Sequence, residues 1–382
     1  MTAMTETPSP LDIPGHFANL PDPRHPAFRD CHPFGEIVAI ALCAVLSGAT
    51  SWDSIASFGR RKLDWLRSLG LKLANGVPSH DTFNRSFAAL APHAFQDCFN
   101  GWICSVCDAL GACHIPIDGK AARGSRGPDG TCLHLVSAWA AEGRLTLAQV
   151  AVADKSNEIT AIPELLKILD LEGALVSIDA IGCQKEIAEG VLAAGGDYLL
   201  AVKGNQPTLH ADIKAAFEDA ERCGFKRVRY DTFATKETGH GRHEERSYTV
   251  LYDLDGLSTK EEWQGLTTIV RVLRRRRQGD KESQEVAYYI SSREATAQVL
   301  ARGIRLHWGI ENGCHWILDV VFGEDQSRTR HGNAAENLAW LRKMVLSLLG
   351  QHRGKASYRT MQFELAIDDE LRLQLLRQLL CQ

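Results

Sequence analysis

The sequence predicts an α/β protein whose mixed sheet is preceded by an all-helical unit. Three observations carry this. Apolar residues recur at spacings of three and four from Pro33 to about Ala112, short β-prone runs alternate with helical ones from His114 to Glu221, and strand-like segments separated by charged turns follow between Gly224 and Arg293.

Taken in chain order, residues 1–14 carry Pro8, Pro10 and Pro14 and lack the basic start and apolar run of an export signal, so they read as a flexible arm. Residues 15–112 read as the helical unit, through FGEIVAIALCAVLSG, WDSIASFGRRKLDWLRSL and HDTFNRSFAAL. Ser51, and Ser79 or Asp81, are the side chains that would cap its helices. Residues 113–223 open the sheet with HIPIDGK, LHLVSAWAA and LTLAQVAVA, Gly143 and Arg144 turning the chain between the last two. Helices through TAIPELLKILDL, QKEIAEGVLAAG and LHADIKAAFEDAE then alternate with the runs ALVSIDA and DYLLAVKG, the pattern of parallel strands joined by crossover helices. Lys155, Asn157 and Glu158 in KSNEI read as a helix cap. Residues 224–293 read as a β-rich insertion or extension. Residues 294–350 return to helix, from Ala295 to about Val321 and from Ala334 to Leu349, on either side of the basic turn QSRTRHG, and residues 351–382 read as a C-terminal tail.

At 382 residues the chain is too long for a single core, and 45% hydrophobic with 24% charged residues excludes wholesale disorder. Its longest apolar stretch, Ile37 to Leu46, falls well short of the roughly 20 residues that span a bilayer. The eleven cysteines are scattered from Cys31 to Cys381, as free thiols of a reducing cytoplasm would be. Cys98, Cys104, Cys107 and Cys113 cluster, but they fall among the apolar positions of a helix with no second Cys-x-x-Cys, which suits buried thiols better than zinc. A net charge of −4 argues against nucleic-acid binding through overall basicity. Local cation clusters remain: Arg60, Arg61 and Lys62; Lys120, Arg123 and Arg126; Arg271 with Arg274 to Arg277.

Two acids stand in matching contexts. Asp118 in IPIDGK and Asp179 in VSIDAIG each follow an apolar run and precede a small-residue turn, so each is expected at a strand end. Two such carboxylates side by side repel unless a divalent cation neutralises them, and oxygen ligands select hard ions such as Mg²⁺ or Mn²⁺. Either aspartate alone could simply cap its turn. A third acid, Glu311 in IRLHWGIENGCHWILDVVF, shares a helix face with His307 and His315 at spacings of four; it is either a buried ligand or a surface residue between two histidines. The histidines flanking it could instead bind zinc or iron, though the spacing is not that of the zinc hydrolases. Asp319 and Asp325 are rival third acids.

With these residues in view, the chain resembles the ISAs-type insertion-sequence transposases, also called H-repeat-associated proteins, within the DDE transposase group. The likeness runs from Leu20 to Gln351 through ordered blocks that include VPSHDTFNRSF, IPIDGKAARGS, HLVSAWA, KSNEITAIPELL, VSIDAIGCQKEIA, DYLLAVKGNQP, GHGRHEER and HWGIENGCHWILDVVFGEDQSRTRHGNAAENLAWLR. It implies an RNase H-like core with Asp118 on the first strand, Asp179 on the fourth and Glu311 on a helix after an inserted β region. These three would be catalytic residues and ligands of two Mg²⁺ ions, with Mn²⁺ able to substitute, in cleavage of element ends and their transfer to target DNA. Related enzymes carry a Tyr, Arg, Glu, Lys pattern round the glutamate; here its other positions are Ile304, His307 and Leu318, so only Glu311 survives, with His307 or Arg305 as substitutes. Lys120, Arg123, Lys203, Asn205, Arg305 and His307 are the expected DNA contacts, a turn between strand and helix accounting equally well for the Gly and Asn of VKGNQ, and the helical unit is expected to confer selectivity for element ends. The implied partners are double-stranded DNA and a second copy of the chain in a dimer or larger assembly, in the bacterial cytoplasm and at the nucleoid. A nuclease without strand transfer, and a domesticated DNA-binding protein with a dead core, are the alternatives.

Overall fold

The computed structural model describes residues 17, 19–29, 31–110, 114–127, 130, 132–152, 158–239 and 241–380. The arm expected at residues 1–14 lies outside them, as do Lys155, Asn157 and Cys113.

The helical unit begins with α1 (Phe34–Leu46), apolar on every side and buried at every position but Gly35, as a helix without a polar face must be. Around it lie α2 (Trp52–Arg61), α3 (Leu63–Ser68), α4 (His80–Ala89), α5 (Pro92–Asp97) and α6 (Asn100–Leu110). Ser51 caps α2 by accepting from the Ser54 amide, and the Ser54 hydroxyl accepts in return from the Ser51 amide at 2.9 Å. At α4 the cap is Ser79, which accepts from Thr82 N at 3.2 Å; Asp81 lies inside the first turn.

The sheet opens with β1 (His114–Ala121), β2 (His134–Ala140) and β3 (Leu145–Val152), all antiparallel. Helix α7 (Glu158–Leu166) leads to β4 (Leu175–Ile178), α8 (Lys185–Ala193) to β5 (Asp197–Val202), and β1, β4 and β5 run parallel. After α9 (Pro207–Arg222) come four long strands, β6 (Tyr230–Gly239), β7 (Arg242–Leu251), β8 (Thr268–Gln278) and β9 (Lys281–Ser291). They do not form a separate unit. Strand β9 pairs antiparallel with β5, giving one nine-stranded sheet in the order β3-β2-β1-β4-β5-β9-β8-β7-β6. The antiparallel run β3-β2-β1 followed by the parallel run β1-β4-β5 makes the core RNase H-like, and the β-rich region widens it.

Side-chain alternation sorts the two faces. Ile115, Ile117, Val176 and Ile178 point into a core closed by α7, α8 and α9, where Leu165, Val191 and Phe217 are buried. Leu175 and Leu199 point the other way, against Ala297, Leu300 and Ile304 of α10 (Ala297–Ile310). The helical run does not continue as α-helix to Val321: Glu311–His315 forms a π turn, after which α11 (Trp316–Val320) resumes. Asn312 and Gly313 are weak helix formers, and π turns recur at functional sites.

Helix α12 (Ala334–His352) joins the sheet to the helical unit: its core is continuous with that of α1 and α4. Lys343 on α12 is wholly buried and donates to Ser137 Oγ at 2.6 Å and Gln149 Oε1 at 2.9 Å on β2 and β3. Residues 351–382 were expected to trail off as a tail, but those described here, as far as residue 380, include α13 (Tyr358–Ile367), capped by Ser357, and α14 (Asp369–Leu380). Leu365, Leu375, Leu376 and Leu379 complete the helical core, and buried Arg372 stacks on Trp65 with its guanidinium 3.9 Å from the ring centre. The leucine periodicity of LRLQLLRQLL is the signal that a reading as a tail passes over.

Candidate active site

Asp118 and Asp179 are brought together by register. In the parallel β1–β4 ladder Pro116 pairs with Ser177 and Ile117 with Ile178, so one step further the two aspartates are neighbours. Both point to the α10 face, because the isoleucines before them point to the other. Asp118 does not end its strand. The β4 ladder stops at Ile178, while β1 continues to Ala121 along β2, with Asp118 opposite Ser137.

These two acids and Glu311 line one cleft of about 310 Å³ between the sheet and α10. Burial raises the Asp118 carboxyl to about 7, helped by the charge of Asp179 and more weakly by Glu311 and Glu158. Burial and Asp179 also raise Glu311. Asp179 Oδ1 accepts from the Ile181 amide at 2.9 Å, so Asp179 caps its turn while facing the cleft. Among the described residues no lysine or arginine pairs with any of the three. Nor do the side chains, as they stand, close on one point: no group of three His, Cys, Asp or Glu among the described residues is set to hold a metal ion.

The histidines have separate partners. His307 Nδ1 lies 3.0 Å from Ser177 Oγ on β4. His315 Nδ1 lies 3.4 Å from Asp118 Oδ2, and burial, with Lys343 and Lys120 nearby, lowers its pKa to about 3, so the ring is neutral and leaves the Asp118 charge unbalanced. A zinc or iron site built on the two rings finds no support in this arrangement.

A family model described as the transposase DDE domain matches residues 110–348, and one described as DDE_Tnp_1-associated matches residues 15–103. The chain belongs to the DDE transposase family. Among similar proteins, "Putative transposase YncI" of Escherichia coli O157:H7 is 42% identical over 325 residues, covering 83% of this chain and 82% of that one. "H repeat-associated putative transposase YhhI" of Escherichia coli (strain K12) is 38% identical over 341 residues, covering 87% and 89%. A solved piggyBac transposase synaptic complex with hairpin DNA aligns over 90% of this chain and 72% of that one, at 13% identity and a TM-score of 0.41.

The remaining residues expected to contact the DNA of a transposase fall into distinct environments. Lys120 is not free: Nζ lies 2.7 Å from Asp319 and 2.6 Å from Glu324, with Asp325 at 3.7 Å, and its side chain is only 10% exposed. A cation so enclosed is a structural tie, and the same ties occupy Asp319 and Asp325, the rival third acids. Arg123 is exposed near Asp325. Asn205 donates to the Ala180 carbonyl at 2.5 Å, bracing the turn after Asp179. Arg305 pairs with Glu237 at 3.3 Å; beside it Arg246 is held by Glu237 and Glu244, and Arg274 by Glu285. Lys203 alone among the cleft cations has no carboxylate partner within the described residues. Leu318 is fully buried, so no cation stands at that position of the family pattern. The Asp118–His315 contact and the internal role of Lys120 were missed, because only the fold brings those side chains to their partners. Among the described residues no helix is long and apolar enough to cross a membrane.

Proposed function

We propose that the chain cleaves DNA at the ends of a mobile element and joins them to target DNA, with Asp118, Asp179 and Glu311 as its catalytic carboxylates. The observation that supports this is a cleft lined by three strand- and helix-borne acids, none of which is ion-paired with a lysine or arginine among the described residues. The missing charge is that of a divalent cation, and an all-oxygen donor set suits Mg²⁺ or Mn²⁺. Bound there, two such ions would activate a water or 3′-hydroxyl and stabilise the leaving oxygen. The chain's own residues supply the rest. Asp118, Asp179 and Glu311 would hold these ions through their carboxylate oxygens. Lys203, exposed just after β5 and without a carboxylate partner among the described residues, would meet a phosphate, and the carboxylate-bound arginines would orient the duplex.

The test uses full-length protein with duplexes carrying the DNA that borders its coding sequence. Asp118→Asn, Asp179→Asn and Glu311→Gln are each expected to abolish Mg²⁺-dependent cleavage and joining while retaining DNA binding. Wild-type cleavage by Glu311→Gln would remove Glu311 from the set, and cleavage without joining would reduce the activity to that of a nuclease.

A further inference from the structure

Behind the helix that carries Glu311 lies a second, larger cavity. Its volume is about 630 Å³, and its wall includes the reverse side of α10, the π turn and α11, together with the β2–β3 turn and the start of α13. The floor is apolar, with Trp139 buried in it. Two apolar side chains stand out into solvent, Trp316 at 58% exposure and Val320 at 45%. An exposed indole next to an exposed valine one turn on, at the mouth of an apolar-floored cavity, offers a ring for a ligand to pack on.

The charge of this cavity is as distinctive as its shape. Arg144, Arg353 and Arg359 line it, and no aspartate or glutamate does, in a chain where acids outnumber lysine and arginine by 47 to 43. Arg353 donates to the Ala356 carbonyl at 2.7 Å and lies over the Tyr358 ring, and Arg359 donates to the Val320 carbonyl at 3.0 Å. Backbone carbonyls orient a guanidinium without cancelling its charge. In the catalytic cleft, by contrast, Arg246, Arg274 and Arg305 each meet a carboxylate.

Exposed aromatic surface beside unneutralised arginines matches a single-stranded nucleic acid, whose bases stack on rings and whose phosphates seek cations. We propose that this cavity is a second DNA site, holding an unpaired stretch of strand with a base against Trp316 and phosphates on Arg144, Arg353 and Arg359. The inference rests on the reading of DNA as substrate. It adds a site on the opposite face of the same helix, so that a strand leaving the cleft can be held apart from the duplex being cut.

The experiment measures binding of fluorescein-labelled oligothymidylate to the full-length protein by anisotropy, across a salt series, alongside binding of a duplex. Trp316→Ala is expected to weaken oligothymidylate binding about tenfold, and Trp316→Phe, which keeps a ring, to restore most of it. Arg144→Gln with Arg359→Gln, both on the surface, should flatten the salt dependence by about 1.4 in log–log slope, the single-strand value for two phosphates. A strand carrying 5-iodouracil should cross-link to the peptide containing Trp316. Duplex binding with oligothymidylate binding unchanged in these variants overturns this site and leaves the proposed function standing. Wild-type protein that binds neither form overturns both. Polyglutamate that displaces oligothymidylate at lower phosphate-equivalent charge would assign the cavity to an acidic protein instead.

Discussion

His307 Nδ1 lies 3.0 Å from Ser177 Oγ, tying the helix that carries Glu311 to the strand that delivers Asp179. His307 stands on α10 one turn before Glu311, and Ser177 on β4 two residues before Asp179, with the same strand parity. The bond therefore sets the separation of two of the three proposed catalytic acids. His307→Ala and Ser177→Ala should each slow cleavage about tenfold with DNA affinity retained, the range in which supporting contacts of metal ligands act. The double variant should be no slower than either single one, since both remove the same contact. Additive losses in single-turnover cleavage would show that His307 acts on the DNA directly.

Asp118 makes a prediction about stability that needs no substrate. Its carboxyl titrates at about 7 in the fold against 3.8 for the ordinary side chain, so between those values the folded chain holds a proton that the unfolded chain has lost. Stability then falls as pH rises through this window, and the penalty is fully present above about 7. In EDTA at pH 8, Asp118→Asn should raise stability by about 1–3 kcal/mol. Adding Mg²⁺ should raise the unfolding midpoint of the wild type and leave that of the variant unchanged. An equal response of both proteins to Mg²⁺ would separate Asp118 from the ion.

Lys120 and Lys203 were expected in the same role and now part company. Burial would raise the Glu324 carboxyl, but Lys120 holds it below its ordinary value, and the Glu324 side chain is 1% exposed. Lys120→Ala leaves that charge stranded and should cost about 3–5 kcal/mol in denaturant unfolding. Lys203→Ala should leave unfolding unchanged and weaken duplex binding, with a shallower dependence on salt. Reversal of this pattern would return Lys120 to the DNA.

Gly119 follows Asp118 and points to the opposite face. A Cβ there would lie 2.4 Å from Oε1 of Glu158 and 2.5 Å from its Cδ, at the start of α7. Gly119→Ala should therefore displace α7 or twist β1, lowering the unfolding midpoint by a few degrees and slowing cleavage although no proposed ligand is altered. A variant with wild-type melting and cleavage would mean that Glu158 moves aside freely.

Much of this protein is determined locally. The apolar run of α1, the serine caps of α2 and α4, and the alternation of strand and helix from β1 to α9 follow from periodicity and capping, which depend on neighbours a few residues apart. The matching Ile-Asp pairs at 117–118 and 178–179 likewise carry the two aspartates to one face, since strand parity is a local property. Tertiary structure decided what parity cannot. Pairing of β9 with β5 merged the expected insertion into a single sheet, and packing against Trp65 and the α1 core turned the expected tail into two helices. It also settled which charges are free: Lys120 and Lys203 look alike in the chain, but one is enclosed by acids some two hundred residues away and the other faces an open cleft. Burial and ion pairing depend on which distant segments meet, and that is a property of the packed chain rather than of any stretch of it.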